Sequence, residues 1–194
     1  MKIQRPPFNK DAFSARERLI LTAQYLFYQN GVRATGIDRI ISEAQVTKVT
    51  FYRHFPSKHA LICAYLDYRH EAWMTWFKAS LTTNGDNLNA LTPTLGEWFA
   101  NEGFRGCAFI NGLSELGGEF NDIRVITHRH KKDMTDTIKH LVPSNVASKQ
   151  QFAETVTMLV DGAIIRAQHE EHYKDTLHAL QHAITQLKHS AQDQ

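Results

Sequence analysis

Apolar residues recur along this chain at intervals of three and four, and the alternation of a strand is nearly absent. Ser14-Ala15-Arg16-Glu17 has the form of a capping box, with a hydroxyl for an amide and a glutamate that reaches back. Leu19, Ala23, Leu26 and Phe27 follow at helical spacing and Gly31 supplies a stop, which predicts a helix over about 14–30. Thr35 is placed to cap a second helix, 36–43, with Ile37, Ile40 and Ile41 inward. Thr47 caps a third, 48–54, and Pro56 closes it. Ser57 opens a long fourth helix to about residue 81, whose apolar positions read Leu61, Ala64, Tyr65, Tyr68, Ala72, Trp76 and Ala79.

Residues 82–91 are polar and turn-prone, a connection with no core of its own. Thr92 before Pro93 predicts a helix over 93–102 that starts on proline. Gly103 and Gly106 separate it from a helix near 107–116, which Gly117-Gly118 ends. Further helices are expected at 121–141, stopping before Pro143, and at 147–168 and 172–189. The prediction is an all-α chain of about nine helices, with a three-helix head at 1–56 and a second domain at 57–194.

The last two helices carry long apolar stripes: Phe152, Val156, Leu159, Val160, Ala163, Ile164 and Ala167, then Leu177, Leu180, Ile184 and Leu187. Such stripes bury against partners in a bundle. Small residues at Gly162, Ala163 and Ala167 allow close approach, so a homodimer through these two helices is expected.

Composition narrows the classes. Hydrophobic residues are 42% and charged residues 22% of 194, ordinary for a globular protein with a sizeable core. No run of about 18 apolar residues suits a membrane span, and the opening MKIQRPPFNKDAFSARER lacks the apolar stretch of a secretory signal. Two cysteines, Cys63 and Cys107, make no disulfide framework, and a reduced, cytoplasmic setting is expected. The net charge of +2 is unevenly spread: residues 1–60 hold 10 Lys/Arg against 4 Asp/Glu, and residues 61–194 hold 12 against 16. A basic head on an acidic body suits phosphate binding at one end.

The most informative segment is residues 35–58, two short helices around a tight turn, the second rich in polar, basic and aromatic residues. That is the plan of a helix-turn-helix reader of duplex DNA. Phe51 and Phe55 fall on one side and anchor the segment. Thr47, Lys48 and Thr50 are placed toward base edges, where lysine donates to guanine and the methyls of Val49 and Thr50 meet thymine. Tyr52, Arg53, His54 and Lys58 suit phosphates, which fix register without reading sequence. The exposed amides at the starts of the second and fourth helices, near Thr35 and Gly36 in the former, add anion donors. Each has a plainer alternative: Tyr52 as a partly buried aromatic, His54 as a cap, Lys58 as a counter-charge to a helix end.

Residues 16–66 resemble the N-terminal domain of the tetracycline-repressor (TetR) family of bacterial transcriptional regulators. The resemblance rests on EAQVTKVTFYRHFPSKHALI, in which Tyr52, His54, Phe55, Ser57, Lys58 and Leu61 match in order and spacing. It implies DNA contacts at Thr35, Thr47, Lys48, Thr50, Tyr52, His54 and Lys58, a small-molecule pocket among helices four to seven, and dimerisation through the final pair. Two positions depart from the pattern. Gln45 stands where the turn usually has glycine, at a cost of roughly 1 kcal/mol for a left-handed conformation. Val49 replaces a residue that is often small, which alters the bases accepted.

The second half offers Trp73, Trp76 and Phe77 as apolar wall, and Cys107, Asn111 and Glu115, four apart, as a polar stripe for an effector. Ordinary core packing, capping and interhelix hydrogen bonds are the alternatives. Cys107 has no neighbouring cysteine in sequence to complete a redox pair. The 11 histidines include His169/His172 and His178/His182 at helical ligand spacing, but no cysteine or carboxylate cluster completes a site, so no resident metal or cofactor is expected. An enzyme is not expected either. Gly112–Gly117 is one residue too long for a serine nucleophile elbow, and His169–His172 one too short for the zinc-protease helix. The expectation is a ligand-responsive regulator, a repressor on a palindromic operator released by a small effector. The alternative is a DNA-binding protein without such an effector, governed by a protein partner or by abundance.

Overall fold

The computed structural model describes residue 3 and residues 5–192, so Met1, Lys2, Gln4 and the last two residues of the predicted second domain lie outside the described residues. Nine α-helices and one 3-10 turn are present among them, and no strand. The α-helices are α1 (Ala15–Asn30), α2 (Ile37–Glu43), α3 (Lys48–His54), α4 (Lys58–Thr83), α5 (Leu91–Phe99), α6 (Ala108–Leu116), α7 (Asn121–Leu141), α8 (Lys149–His169) and α9 (Tyr173–Gln192). The chain divides into two compact units. One draws on the residues up to Ala72 and on Ala108–His128, the other on Trp73–Cys107 and the residues from Arg129 to the end of α9. Two helices, α4 and α7, therefore contribute residues to both.

In the first unit α1 is held by both halves of its capping box, Ser14 Oγ accepting from Glu17 N and Glu17 accepting from Ser14 N at 2.8 Å. Leu19, Ala23 and Leu26 are completely buried, and Phe27 nearly so, which is the stripe the spacing predicts. Thr35 does not cap α2. The N-cap is Gly36, and the buried Thr35 hydroxyl donates instead to Gly31 O at 2.8 Å. Of the three isoleucines in α2 only Ile40 is buried; Ile37 and Ile41 sit half-exposed. The short helix has one narrow contact stripe, and Ile40 fills it.

The long helix α4 also departs from the simple stripe. Tyr68 and Ala79 are exposed, while Ile62, Leu66, Arg69, His70, Trp73, Met74 and Phe77 are buried. An arginine and a histidine in the buried set hide the register from any hydrophobicity pattern. Arg69 is stacked over the Tyr28 ring, its guanidinium carbon 4.3 Å from the centroid, which combines cation–π attraction with burial of its stem.

In the second unit, the stretch expected to lack a core has one. Leu88 and Ala90, in a 3-10 turn, and Leu91 are 2% exposed or less. The asparagines between them mask the pattern. Helix α5 consequently starts at Leu91, two residues earlier than expected, and ends at Phe99 rather than 102. Pro93 still lies in the first turn, where a missing N–H costs nothing. Thr92 is not its cap; its hydroxyl donates to Gln181 Oε1 of α9 at 2.7 Å. The stripes of α8 and α9 bury Phe152, Val156, Val160, Ala163 and Ile164 with Leu180 and Ile184, while Leu159, Ala167, Leu177 and Leu187 remain half-exposed.

Candidate nucleic-acid interface

The α2–α3 segment is built as a rigid presentation device. Ala44 caps α2, and the chain reverses through Gln45 at φ 52°, the left-handed conformation that its position in the motif demands. Gln45 N donates to Ser42 O and Val46 N to Ile41 O, so the reversal keeps its amides satisfied despite a side chain where glycine is easier. From the core side, Arg18 of α1 locks the same turn. Its side chain is 8% exposed; Nε donates to Ala44 O at 3.0 Å and Nη1 to Phe13 O at 2.8 Å. The cation thus sits at the carbonyl end of α2, where the helix dipole favours it. Sequence reasoning missed Arg18, because a charged residue inside an apolar stripe reads as solvated.

Helix α3 is short and doubly anchored. Thr47 Oγ1 accepts from Thr50 N at 3.1 Å and shares a hydrogen bond with Thr50 Oγ1 at 2.9 Å. Phe51 is fully buried and Phe55 is 3% exposed, with ring centroids 6.4 Å apart. The opposite face is open. Val49 is 77% exposed and Tyr52 44%, and Thr47, Lys48 and Arg53 are exposed with them. Val49 and Lys48 thus lie side by side on the open face of a helix whose back is fixed. Gly36 is exposed at the start of α2, and a Cβ there would meet nothing within 4 Å. His54 and Thr50 are half-buried at the edges of the face.

Two expected contact residues lie elsewhere. Thr35 is 0% exposed, so its hydroxyl serves the α1–α2 connection and is not presented at a surface. Lys58 Nζ donates to Val32 O at 2.6 Å, near the end of α1, and burial pulls its pKa below the ordinary lysine range while Glu115 opposes that shift. That contact fits the plainer alternative, a counter-charge to a helix end.

The residues expected around an effector are distributed between the units. Trp73, Trp76 and Phe77 belong to the second, where Trp73 stacks on Phe77 at 4.6 Å and meets Trp98 edge-on at 5.6 Å. The Trp73 indole N–H is buried and has no hydrogen-bond partner. Cys107 is buried in the same unit, beside the Lys131 ammonium that pairs with Asp161. Asn111 and Glu115, on α6, belong to the first unit, and both are half-buried. Cys107 precedes α6, so the three do not form one continuous helix face. The Glu115 carboxylate accepts from Val32 N at 3.1 Å and Arg33 N at 2.8 Å, while Arg33 Nε donates to the Glu115 carbonyl at 2.9 Å. Arg33 also pairs with Glu119. The Glu115 carboxylate is thus engaged by the two amides of the connection that follows α1.

Residues 19–65 match the family of bacterial regulatory proteins, tetR family. That stretch contains the whole α2–turn–α3 device, and the likeness extends to the entire fold. A TetR-family transcriptional regulator from Streptomyces coelicolor, SCO4454, superposes with a TM-score of 0.81 at 28% identity, covering 92% of this chain and 96% of that one. The chain carries a tetR-family N-terminal segment and has the fold of a tetR-family regulator. Among its relatives, the HTH-type transcriptional regulator YuxN of Bacillus subtilis is 37% identical over 73 residues, 37% of this chain. The chain spans about a quarter of that relative's length. The multidrug binding protein EbrR, solved with malachite green, shares the fold at a TM-score of 0.71 and 17% identity, covering 90% of this chain and 98% of that one. No helix among the described residues is long and apolar enough to cross a membrane.

Proposed function

We propose that this tetR-family chain is a ligand-responsive repressor that binds a two-fold symmetric operator as a homodimer. The observation that carries the reading is the open face of α3. Val49, Lys48 and Thr47 project from a helix whose other side is fixed by Phe51 and whose entry is fixed by Arg18. Lys48 and Thr50 are assigned to base edges together with the Val49 methyls; Tyr52, Arg53 and His54 are assigned to the phosphates, and the Gly36 amide to an anion at the start of α2.

Dimerisation is assigned to α8 and α9. Met158 is 74% exposed, Ile165 is 46% exposed and Gly162 between them is open, with nothing within 4 Å of an added Cβ. These positions fall on one face at helical spacing, an apolar surface that the fold leaves without a partner within the chain. The effector is assigned to the aromatic cluster of the second unit. The buried Trp73 N–H has no acceptor within the chain, and Trp76 and Phe77 pack against its ring, with Cys107 assigned to the same site. That EbrR holds malachite green supports an aromatic ligand class for such a fold. A coupling of about 1–3 kcal/mol between effector and operator would change DNA affinity roughly 5- to 150-fold.

Selection of bound duplexes from a random pool tests the reading. It is expected to enrich a two-fold symmetric site with half-sites about one helical turn, or a multiple of it, apart. Enrichment of asymmetric or featureless sequences would overturn it.

A further inference from the structure

Outside the reading face and the aromatic cluster, one constellation in the first unit has no assigned role. His59 and Cys63 are one turn apart on α4, and Asp122 lies in the first turn of α7. His59 Nε2 is 2.6 Å from Asp122 Oδ2, Cys63 Sγ is 3.7 Å from the same nitrogen, and Cys63 Sγ is 3.6 Å from Asp122 Oδ2. It is the one group of its kind among the described residues.

A nucleophilic triad is excluded by this geometry. A relay needs the imidazole to face the thiol with one nitrogen and the carboxylate with the other, whereas here a single nitrogen faces both. The thiol is also the wrong kind: burial, and then the Asp122 charge, push its pKa up to about 12. Three different donor atoms turned toward one point make a different device.

We propose that His59, Cys63 and Asp122 are the protein ligands of a divalent, borderline-soft metal ion, zinc or a close analogue. Zinc takes sulfur, nitrogen and oxygen ligands in tetrahedral array, which places sulfur about 3.6 Å from the other donors and nitrogen about 3.4 Å from oxygen. Both sulfur distances already have these values; the His59–Asp122 hydrogen bond must open by about 0.8 Å to admit the ion. On binding, the Cys63 proton passes to solvent and a thiolate–metal bond forms, the His59–Asp122 hydrogen bond is replaced by two metal bonds, and the imidazole hydrogen resides on Nδ1. A fourth position is left for water. Entry is open, because the Asp122 side chain is 54% exposed and that of His59 27%. Phe120, stacked on His59 at 4.1 Å, holds the ring in place. The ion would fasten the first turns of α4 to α7 within the unit that carries α3.

Titration of the full chain with cobalt(II) under reducing conditions tests this, because thiolate ligation gives a near-ultraviolet charge-transfer band that surface histidines do not produce. The band is expected to saturate at one equivalent per chain and to be bleached by zinc. Cys63→Ser should abolish it, and His59→Ala and Asp122→Asn should each weaken cobalt binding more than about 100-fold, beyond the effect of losing an outer partner. Cys107→Ser should retain it, and far-ultraviolet circular dichroism confirms that each variant folds. Absence of the band in the native chain, or its persistence in folded Cys63→Ser, would overturn the proposal. It concerns metal binding alone and stands or falls independently of operator recognition.

Discussion

At the scale of single residues, the reading device depends on groups that touch no ligand. The buried Arg18 guanidinium bonds Ala44 O and Phe13 O, and its removal leaves two carbonyls short of a donor. Arg18→Ala is expected to destabilise the protein by about 1.5–3 kcal/mol, the range for hydrogen bonds to a charged group, read from chemical denaturation. Gln45 has the opposite character. At φ 52° it carries strain that glycine lacks, and relief of that strain outweighs the extra freedom glycine has in the unfolded chain. Gln45→Gly should therefore raise stability by roughly 0.5–1 kcal/mol, measured in the same way. No gain would show that the turn accommodates the side chain without cost. The left-handed turn was legible in the sequence through the family resemblance, which puts glycine at that position; Arg18 was not, since nothing in its neighbours announces a buried cation. Thr35 was misjudged for a similar reason, a hydroxyl that suits a cap being used inside the core.

Among the elements, legibility followed the strength of local signals. Helix α3 has the predicted bounds because Thr47 and Pro56 punctuate it, and α7 because Gly118 and Pro143 flank a clean amphipathic run. Signals failed where tertiary contacts decide. Leu88, Ala90 and Leu91 are buried although asparagines surround them, and α4 buries Arg69 and His70 along with its apolar residues. The Cys63–Asp122 pairing was equally out of reach, the two being 59 positions apart. The link between α6 and the end of α1 belongs to this scale. Glu115→Ala would strip the Val32 and Arg33 amides of their acceptor, and a cost of about 1–3 kcal/mol is expected in unfolding experiments. Unchanged stability would mean that water satisfies those amides equally well.

For the whole molecule, the proposed function requires two reading helices at a fixed separation, and hence a stable pair of chains. The exposed Met158–Gly162–Ile165 face is the proposed seam. A charge placed in its centre, Met158→Glu, should yield a folded monomer by sedimentation, with operator binding lost while helicity persists. A native-like dimer from that variant would move the seam elsewhere. Electrostatics operate at the same scale. The 10 basic against 4 acidic residues of the first 60 imply binding that weakens with salt, and Arg53→Ala should lower the log–log salt slope by about 1 if that side chain meets a phosphate.

The claim on which these rest is that α3 reads bases through Lys48. Binding of native and Lys48→Ala protein to a selected operator and to a scrambled duplex, at matched salt, tests it most directly. The account predicts a loss of about 1–3 kcal/mol on the operator and little on the scrambled duplex. Equal losses on both would contradict it and place Lys48 on the phosphate backbone.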